Sequence, residues 1–306
     1  MRALAIALLL AACGSDGVEP TETVGFQIIS PDVTIAPGQE ITYCYYFQTS
    51  NTEDVVIRKW SSSMTPGSHH MIMYTTYREA APAGTLTDDG CNQSLSNLPS
   101  WTYATQTPED SVALPADDGT GKPLGQEIEA GTYGYLEMHY FNGTDEPIVA
   151  HVEVTADPLP RDTAYTPTAT YVTFNPDISI PPGAMGHLET ATCDTPANTQ
   201  FWMLSTHAHK QAKQTTIKDG LATSTTIPFT SDDWEHPGVI AWMDAPFYTF
   251  DTGKLTYECT YDNTGSNANR TVTSGSSAAR NEMCMATGYY FPAAKPLFCL
   301  GSGGAF

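Results

Sequence analysis

The sequence predicts an all-β protein built as two tandem domains, and three observations predict it. Its apolar segments are short and rich in β-branched and aromatic residues. Turn formers punctuate them throughout, with 24 glycines and 22 prolines among 306 residues. One turn signature also occurs twice. Short strands bounded by turn residues indicate a sandwich or barrel, and no long stretch carries helical periodicity.

Taken in order, Ile41-Thr42-Tyr43-Cys44-Tyr45-Tyr46-Phe47, Met71-Ile72-Met73-Tyr74 and Thr170-Tyr171-Val172-Thr173-Phe174 read as strands. His151-Val152-Glu153-Val154-Thr155 alternates with the period of two that a half-buried strand requires. The segment Ser30-Pro31-Asp32-Val33-Thr34-Ile35-Ala36-Pro37-Gly38 recurs as Asn175-Pro176-Asp177-Ile178-Ser179-Ile180-Pro181-Pro182-Gly183, and a cysteine follows each copy, Cys44 or Cys193. Further on, the stretch from Leu136 to Thr144 is echoed by the stretch from Thr256 to Thr264, which aligns Cys259 with His139. Two echoes in one order indicate duplication. Domains of roughly 140 residues suit the usual domain size. They are expected at 25–157 and 158–306, joined at Asp157-Pro158-Leu159-Pro160.

The first residues read as an export signal. Arg2 supplies a charged start, and Ala3 to Ala12 are apolar, a stretch too short for a bilayer, which needs about 20 apolar residues. Leu10-Ala11-Ala12-Cys13 resembles a bacterial lipobox, so Cys13 is expected to carry the lipid. No aspartate follows it directly, which points to the outer membrane, on its periplasmic face or at the cell surface. Residues 14–24 have the composition of a flexible tether.

Formal charge is −21, with 34 acidic against 13 basic residues. That balance excludes nucleic acid as a partner, because phosphate contacts need Lys and Arg, and leaves the lipid as the only membrane contact. Beyond Cys13 six cysteines remain: Cys44, Cys91, Cys193, Cys259, Cys284 and Cys299. An even number in an exported chain reads as three disulfides, with 15 possible connectivities.

Five of the eight histidines lie in three short motifs: Ser68-His69-His70-Met71, Glu137-Met138-His139-Tyr140 and Thr206-His207-Ala208-His209. Asn281-Glu282-Met283-Cys284 adds a methionine. Imidazole with one thioether suits copper, since soft sulfur favours Cu(I) and nitrogen accepts both oxidation states. On a strand His207 and His209 would project to one side. His69 and His70 are adjacent, so serving one ion requires a strand end, a bulge or different ring nitrogens. Each motif alone has an ordinary reading as a solvated or hydrogen-bonded strand residue, and Met283 alone as core. Their conjunction points to metal. His151, His187 and His236 lack clustered partners and read as structural.

In order and spacing these motifs resemble the copper type II, ascorbate-dependent monooxygenases, which hydroxylate peptidylglycine or dopamine. The resemblance runs over about residues 25–300. It implies two jelly-roll-like β-sandwich domains whose copper sites face an interdomain cleft, with His69, His70 and His139 holding an electron-relay copper. His207, His209 and Met283 would hold the copper that binds O2, and ascorbate or another one-electron donor would reduce both ions. It also implies the disulfides Cys44–Cys91, Cys193–Cys299 and Cys259–Cys284. Departures bear on substrate. The peptide-hydroxylating branch has an arginine where this chain has Ser205, and asparagine and tyrosine where it has Met285 and Thr287. An unidentified small molecule other than peptidylglycine is therefore expected, hydroxylated at C–H with O2. The alternatives are a copper-binding or copper-buffering lipoprotein and an adhesive β-sandwich with incidental histidines. Zinc hydrolysis fits less well, because methionine is a poor zinc ligand and no obvious carboxylate base stands nearby.

Overall fold

The computed structural model describes residues 25–91, 97 and 99–304. The signal, Cys13 and the tether expected at 1–24 lie outside the described residues. Those described form strands and no helix.

The first half contains β1 (Phe26–Ile29), β2 (Val33–Ile35), β3 (Glu40–Gln48), β4 (Val55–Met64), β5 (Ser68–Thr76) and β6 (Leu86–Thr87). It continues with β7 (Ser100–Thr105), β8 (Glu109–Ala113), β9 (Leu124–Ile128), β10 (Tyr133–Phe141), β11 (Ile148–Ala150), β12 (Val152–Pro158) and β13 (Thr166–Pro167). The second half contains β14 (Ala169–Phe174), β15 (Ser179–Ile180), β16 (His187–Asp194), β17 (Gln200–Ala208), β18 (Ala212–Asp219) and β19 (Phe229–Ser231). It ends with β20 (Val239–Ala241), β21 (Lys254–Tyr261), β22 (Val272–Thr273), β23 (Cys284–Phe291) and β24 (Leu297–Leu300).

In the first half one sheet runs β1-β12-β4-β9-β13, with β8 also on β4, and a second runs β6-β3-β10-β5-β7. Their inward residues meet in one core, with Phe26, Ile57 and Trp60 from the first sheet against Met71, Leu136 and Met138 from the second. The second half has the same plan. Its β14-β23-β17-β20 corresponds to β1-β12-β4-β9, its β16-β21-β18 to β3-β10-β5, and its ribbon β15-β22 to β2-β11. A second core lies between these sheets and includes Tyr171, Phe201, Ile217 and Tyr257.

Matching details identify the halves as copies. Gly38 and Gly183 end the two repeated turns with φ of 69° and 67°, a conformation glycine adopts without strain. Asn142 Nδ2 donates to Ile35 O and Glu146 O at 3.0 and 2.8 Å, and Asn263 Nδ2 to Pro181 O and Arg270 O at the same distances. The pairing of β10 with β5 skips His69, and that of β21 with β18 skips Lys213 at the matching place. These equivalences correct the sequence alignment by one residue: Thr260, not Cys259, matches His139, and Cys259 matches Met138. The sequence echo was shifted because it followed local composition, whereas hydrogen-bond register counts residues.

The joint also differs from its expected place. β13 still pairs with β9, so the change of sheet falls at Thr168 rather than at Asp157. Thr168 is bonded on both sides. Its N–H donates to Gly125 O at 2.9 Å. Its hydroxyl donates to Tyr290 O at 2.8 Å and accepts from Trp202 Nε1 at 2.9 Å. Trp202, Phe247, Tyr289 and Phe291 of the second half pack into the first half's core, so apolar burial continues across the boundary. All three disulfides take the pairing the family resemblance implied: Cys44–Cys91, Cys193–Cys299 and Cys259–Cys284, with Cα separations of 5.4, 6.3 and 5.9 Å.

Candidate metal centre

His70 lies on β5 directly across from His139 on β10. The next ladder pair is Tyr140 with Ser68, so His69 is the extra residue of a β-bulge. A bulge re-aims a side chain, and here it turns two consecutive histidines to the same region. Their rings lie 4.9 Å apart, and both lie within 5.2 Å of the His139 ring. One nitrogen from each ring falls within 4.8 Å of the others.

The second ligand set stands elsewhere in the copied fold. His207 is near the end of β17, with His209 two residues on, and their rings are 5.3 Å apart. The last ladder pair is Ala208 with Cys284, which puts Met283 in line with His209 just beyond it. Tyr261 OH donates to Met283 O at 2.7 Å. The two histidine pairs are therefore not duplicates. β17 matches β4, and the positions matching His69, His70 and His139 are Lys213, Gln214 and Thr260.

The family resemblance implied two sites facing each other across an interdomain cleft. The structure instead packs the two sets ring against ring. His70 is 5.1 Å from His207, and His69 is 6.1 and 6.3 Å from His207 and His209. None of the five is more than 8% exposed. The indole of Trp234, from the second half, stands 5.5 Å from the His69 ring.

Hydrogen-bond partners fix which ring nitrogens are free. A carbonyl or carboxylate oxygen only accepts, so a ring nitrogen facing one carries the proton. Glu40 Oε1 is 3.1 Å from His139 Nε2, which leaves Nδ1 as the lone-pair nitrogen. Gln106 Oε1 is 2.6 Å from His207 Nδ1, and Asn281 O is 3.2 Å from His209 Nδ1. Both of those rings therefore keep Nε2 free. His69 Nε2, His70 Nδ1 and His209 Nε2 are buried without hydrogen-bond partners. Buried polar atoms nearly always have one, so this set of unpartnered lone pairs fits a metal ion.

Electrostatics favour the neutral rings that metals bind. Burial, with repulsion from neighbouring histidines, lowers His69 to about 3 and holds His70 and His207 well below the ordinary imidazole range. Burial likewise lowers His209 to about 4, against the opposing pull of the Asn281 carbonyl. Burial pushes Glu40 upward, but bonds from His139, Ser277 and the Ala279 amide outweigh it and hold the carboxyl at about 2. Glu282 is fully buried and accepts from the amides of His209 and Gln211 at 2.9 and 2.7 Å, fixing the turn after β17. Burial raises its carboxyl to about 8 even so.

Glu40, Gln106, Trp234 and Glu282 escaped the sequence reading. Only Glu282, inside the methionine motif, carried any signal there. The three remaining histidines have acidic neighbours: His151 faces Asp32 at 3.1 Å, His187 faces Glu189 at 3.0 Å, and His236 faces Asp233 at 4.0 Å.

No curated protein matches the sequence. A solved crystal structure of BuGH86wt in complex with neoagarooctaose aligns at 7% identity with a TM-score of 0.22, over 85% of this chain and 34% of that one. This chain thus spans about a third of that protein's length. A structure of infectious bursal disease virus Gx strain aligns at 12% identity and a TM-score of 0.14, over 90% and 80%. Overlaps this poor carry no inference. Residues 168–305, in contrast, match the family described as copper type II ascorbate-dependent monooxygenase, C-terminal domain. Through residues 168–305, which supply His207, His209 and Met283, the chain carries the C-terminal domain of the copper type II ascorbate-dependent monooxygenase family.

Proposed function

We propose that this protein is a copper- and reductant-dependent monooxygenase that hydroxylates a C–H bond of a small substrate with O2. The observation that carries the reading is the gathering of five histidines, with unpartnered buried nitrogens, against a half that belongs to this family. His69 Nε2, His70 Nδ1 and His139 Nδ1 would hold one copper, and His207 Nε2, His209 Nε2 and the Met283 thioether the other. Copper bound there would supply one-electron redox chemistry and activation of O2, with ascorbate or another one-electron donor as reductant. The residues around it orient the ligands. Glu40 and the Asn281 carbonyl fix ring protons, Glu282 fixes the backbone of His209, and Met283 offers soft sulfur suited to Cu(I). Ser205 donates to Gly238 O at 2.6 Å, so it offers no cation for a peptide carboxylate, and peptidylglycine is not the substrate we infer. We place the protein outside the cell interior, anchored through lipid on Cys13.

Close packing of the five rings favours a second reading, a copper-binding or copper-buffering lipoprotein, because substrate reaches such a cluster only if the halves part. Turnover separates the two. Copper-loaded soluble protein lacking residues 1–13 would receive ascorbate, ¹⁸O₂ and a pool of amines, peptides and small aromatics, with mass spectrometry of the products. Ascorbate-dependent incorporation of a single labelled oxygen is expected. Two tightly held coppers with no labelled product from any pool would favour the binding protein.

A further inference from the structure

Each ligand set is oriented partly by the other half of the chain. Gln106, just past β7 in the first half, reaches His207 in the second. Its Oε1 lies 2.6 Å from His207 Nδ1, while its Nε2 donates to Thr206 O at 3.5 Å. The Thr206 carbonyl selects the amide orientation, because a flipped amide would set two carbonyl oxygens against each other. Once Oε1 faces the ring, His207 must carry its proton on Nδ1. Nε2 is then the nitrogen left for a metal.

The reverse connection runs through Glu40. Its carboxylate fixes the His139 ring of its own half, and also accepts from Ser277 Oγ at 3.0 Å and the Ala279 amide at 3.4 Å. Those two residues belong to the loop leading into Met283. No motif contains Gln106 or Glu40, and neither offers a ligand to the cluster.

We propose that Gln106 is a positioning residue for the second half's metal site, supplied by the first half. Metal binding by His207 and His209 is therefore contingent on docking of the two halves. By reciprocity, an ion at that site stabilises the docked arrangement by the same factor. The proposal rests on the copper reading above and deepens it.

The test is a Cu(II) titration of the whole protein against a competing chelator, followed by electron paramagnetic resonance, for wild type, Gln106→Ala and Gln106→Glu. Gln106→Ala should weaken one of two sites on the order of 10–100-fold, the usual effect of losing an outer partner of a ligating histidine. Its nitrogen hyperfine pattern should change while the other site keeps wild-type affinity, which also shows that the fold is intact. Gln106→Glu keeps an acceptor for Nδ1–H but sets its second oxygen against the Thr206 carbonyl, so it should recover affinity at that site only in part, above Gln106→Ala. Two unchanged sites in Gln106→Ala would make Gln106 an interface contact only, as would equal weakening of both. Failure of wild type to bind copper would overturn the copper reading itself, and the proposal with it.

Discussion

At the residue scale Met283 is what would separate the proposed pair of half-sites from a generic histidine cluster. The thioether is the soft member of its set, and its neighbours on both sides are fixed, Glu282 by two backbone amides and Cys284 by a disulfide. Met283→Ala is expected to abolish ascorbate-dependent hydroxylation while copper stays at His69, His70 and His139. Metal analysis with electron paramagnetic resonance would check this, and loss of both coppers together would count against separate half-sites. All six proposed ligands were legible in the sequence, because metal ligands must be particular residue types at particular spacings. Gln106 and Glu40 were not. An amide or carboxylate that orients a ligand from a distant strand leaves no spacing to find, and the fold alone brings Gln106 within 2.6 Å of a ring about a hundred residues away.

At the element scale the bulge and a cross-link set the geometry. Without the bulge at His69, regular alternation would turn His69 and His70 to opposite faces. The sequence required an irregularity here, and the missing residue in the β10–β5 register supplies it. The Cys259–Cys284 bridge ties β21 to the start of β23 immediately beside Met283. Replacing both cysteines by alanine should destabilise the protein by about 2–4 kcal/mol. It should also weaken copper at His207 and His209 more than at His69, His70 and His139. Denaturant unfolding and copper titration of the double variant measure the two effects, and equal weakening of the sites would dissociate the bridge from Met283. Strand existence was legible from β-branched and aromatic runs. The placement of the two histidine pairs was not, because they have similar sequence patterns but sit on β5 and at the end of β17, which are not counterparts.

At the scale of the whole molecule, the buried histidine cluster makes stability of the copper-free protein depend on pH. His69 and His209 titrate at about 3 and 4 in the fold, against about 6.5 in an unfolded chain. Above pH 6.5 both states leave these rings neutral. As pH falls below that value the unfolded chain takes up protons that the fold refuses, so stability is lost progressively down to about pH 3–4. At pH 5 each such ring costs about 2 kcal/mol, taking roughly 1.36 kcal/mol per pKa unit. Glu40, held at about 2, acts in the same direction below its ordinary range. Thermal unfolding of chelator-treated protein should therefore show a midpoint that declines steadily from pH 7 to pH 4. A midpoint flat over that interval would mean the rings are solvated and the cluster open. Duplication and the disulfide count were legible at this scale, but the joint was misplaced by about ten residues. Proline density suggests linkers, whereas β13 shows that this connection is itself a strand in the sheet.

Thr168 is the only residue between β13 and β14. A single residue spans at most about 3.6 Å, so the two halves have almost no leash between them. Pulling them apart as rigid bodies would first strip Thr166 and Thr168 from their backbone acceptors, Pro123 and Gly125. At this point the halves can separate by no more than about one residue's length, so any opening would have to pivot near the β9–β13 ladder. Access to the histidines would then be angular: the gap at any point would grow with its distance from that pivot.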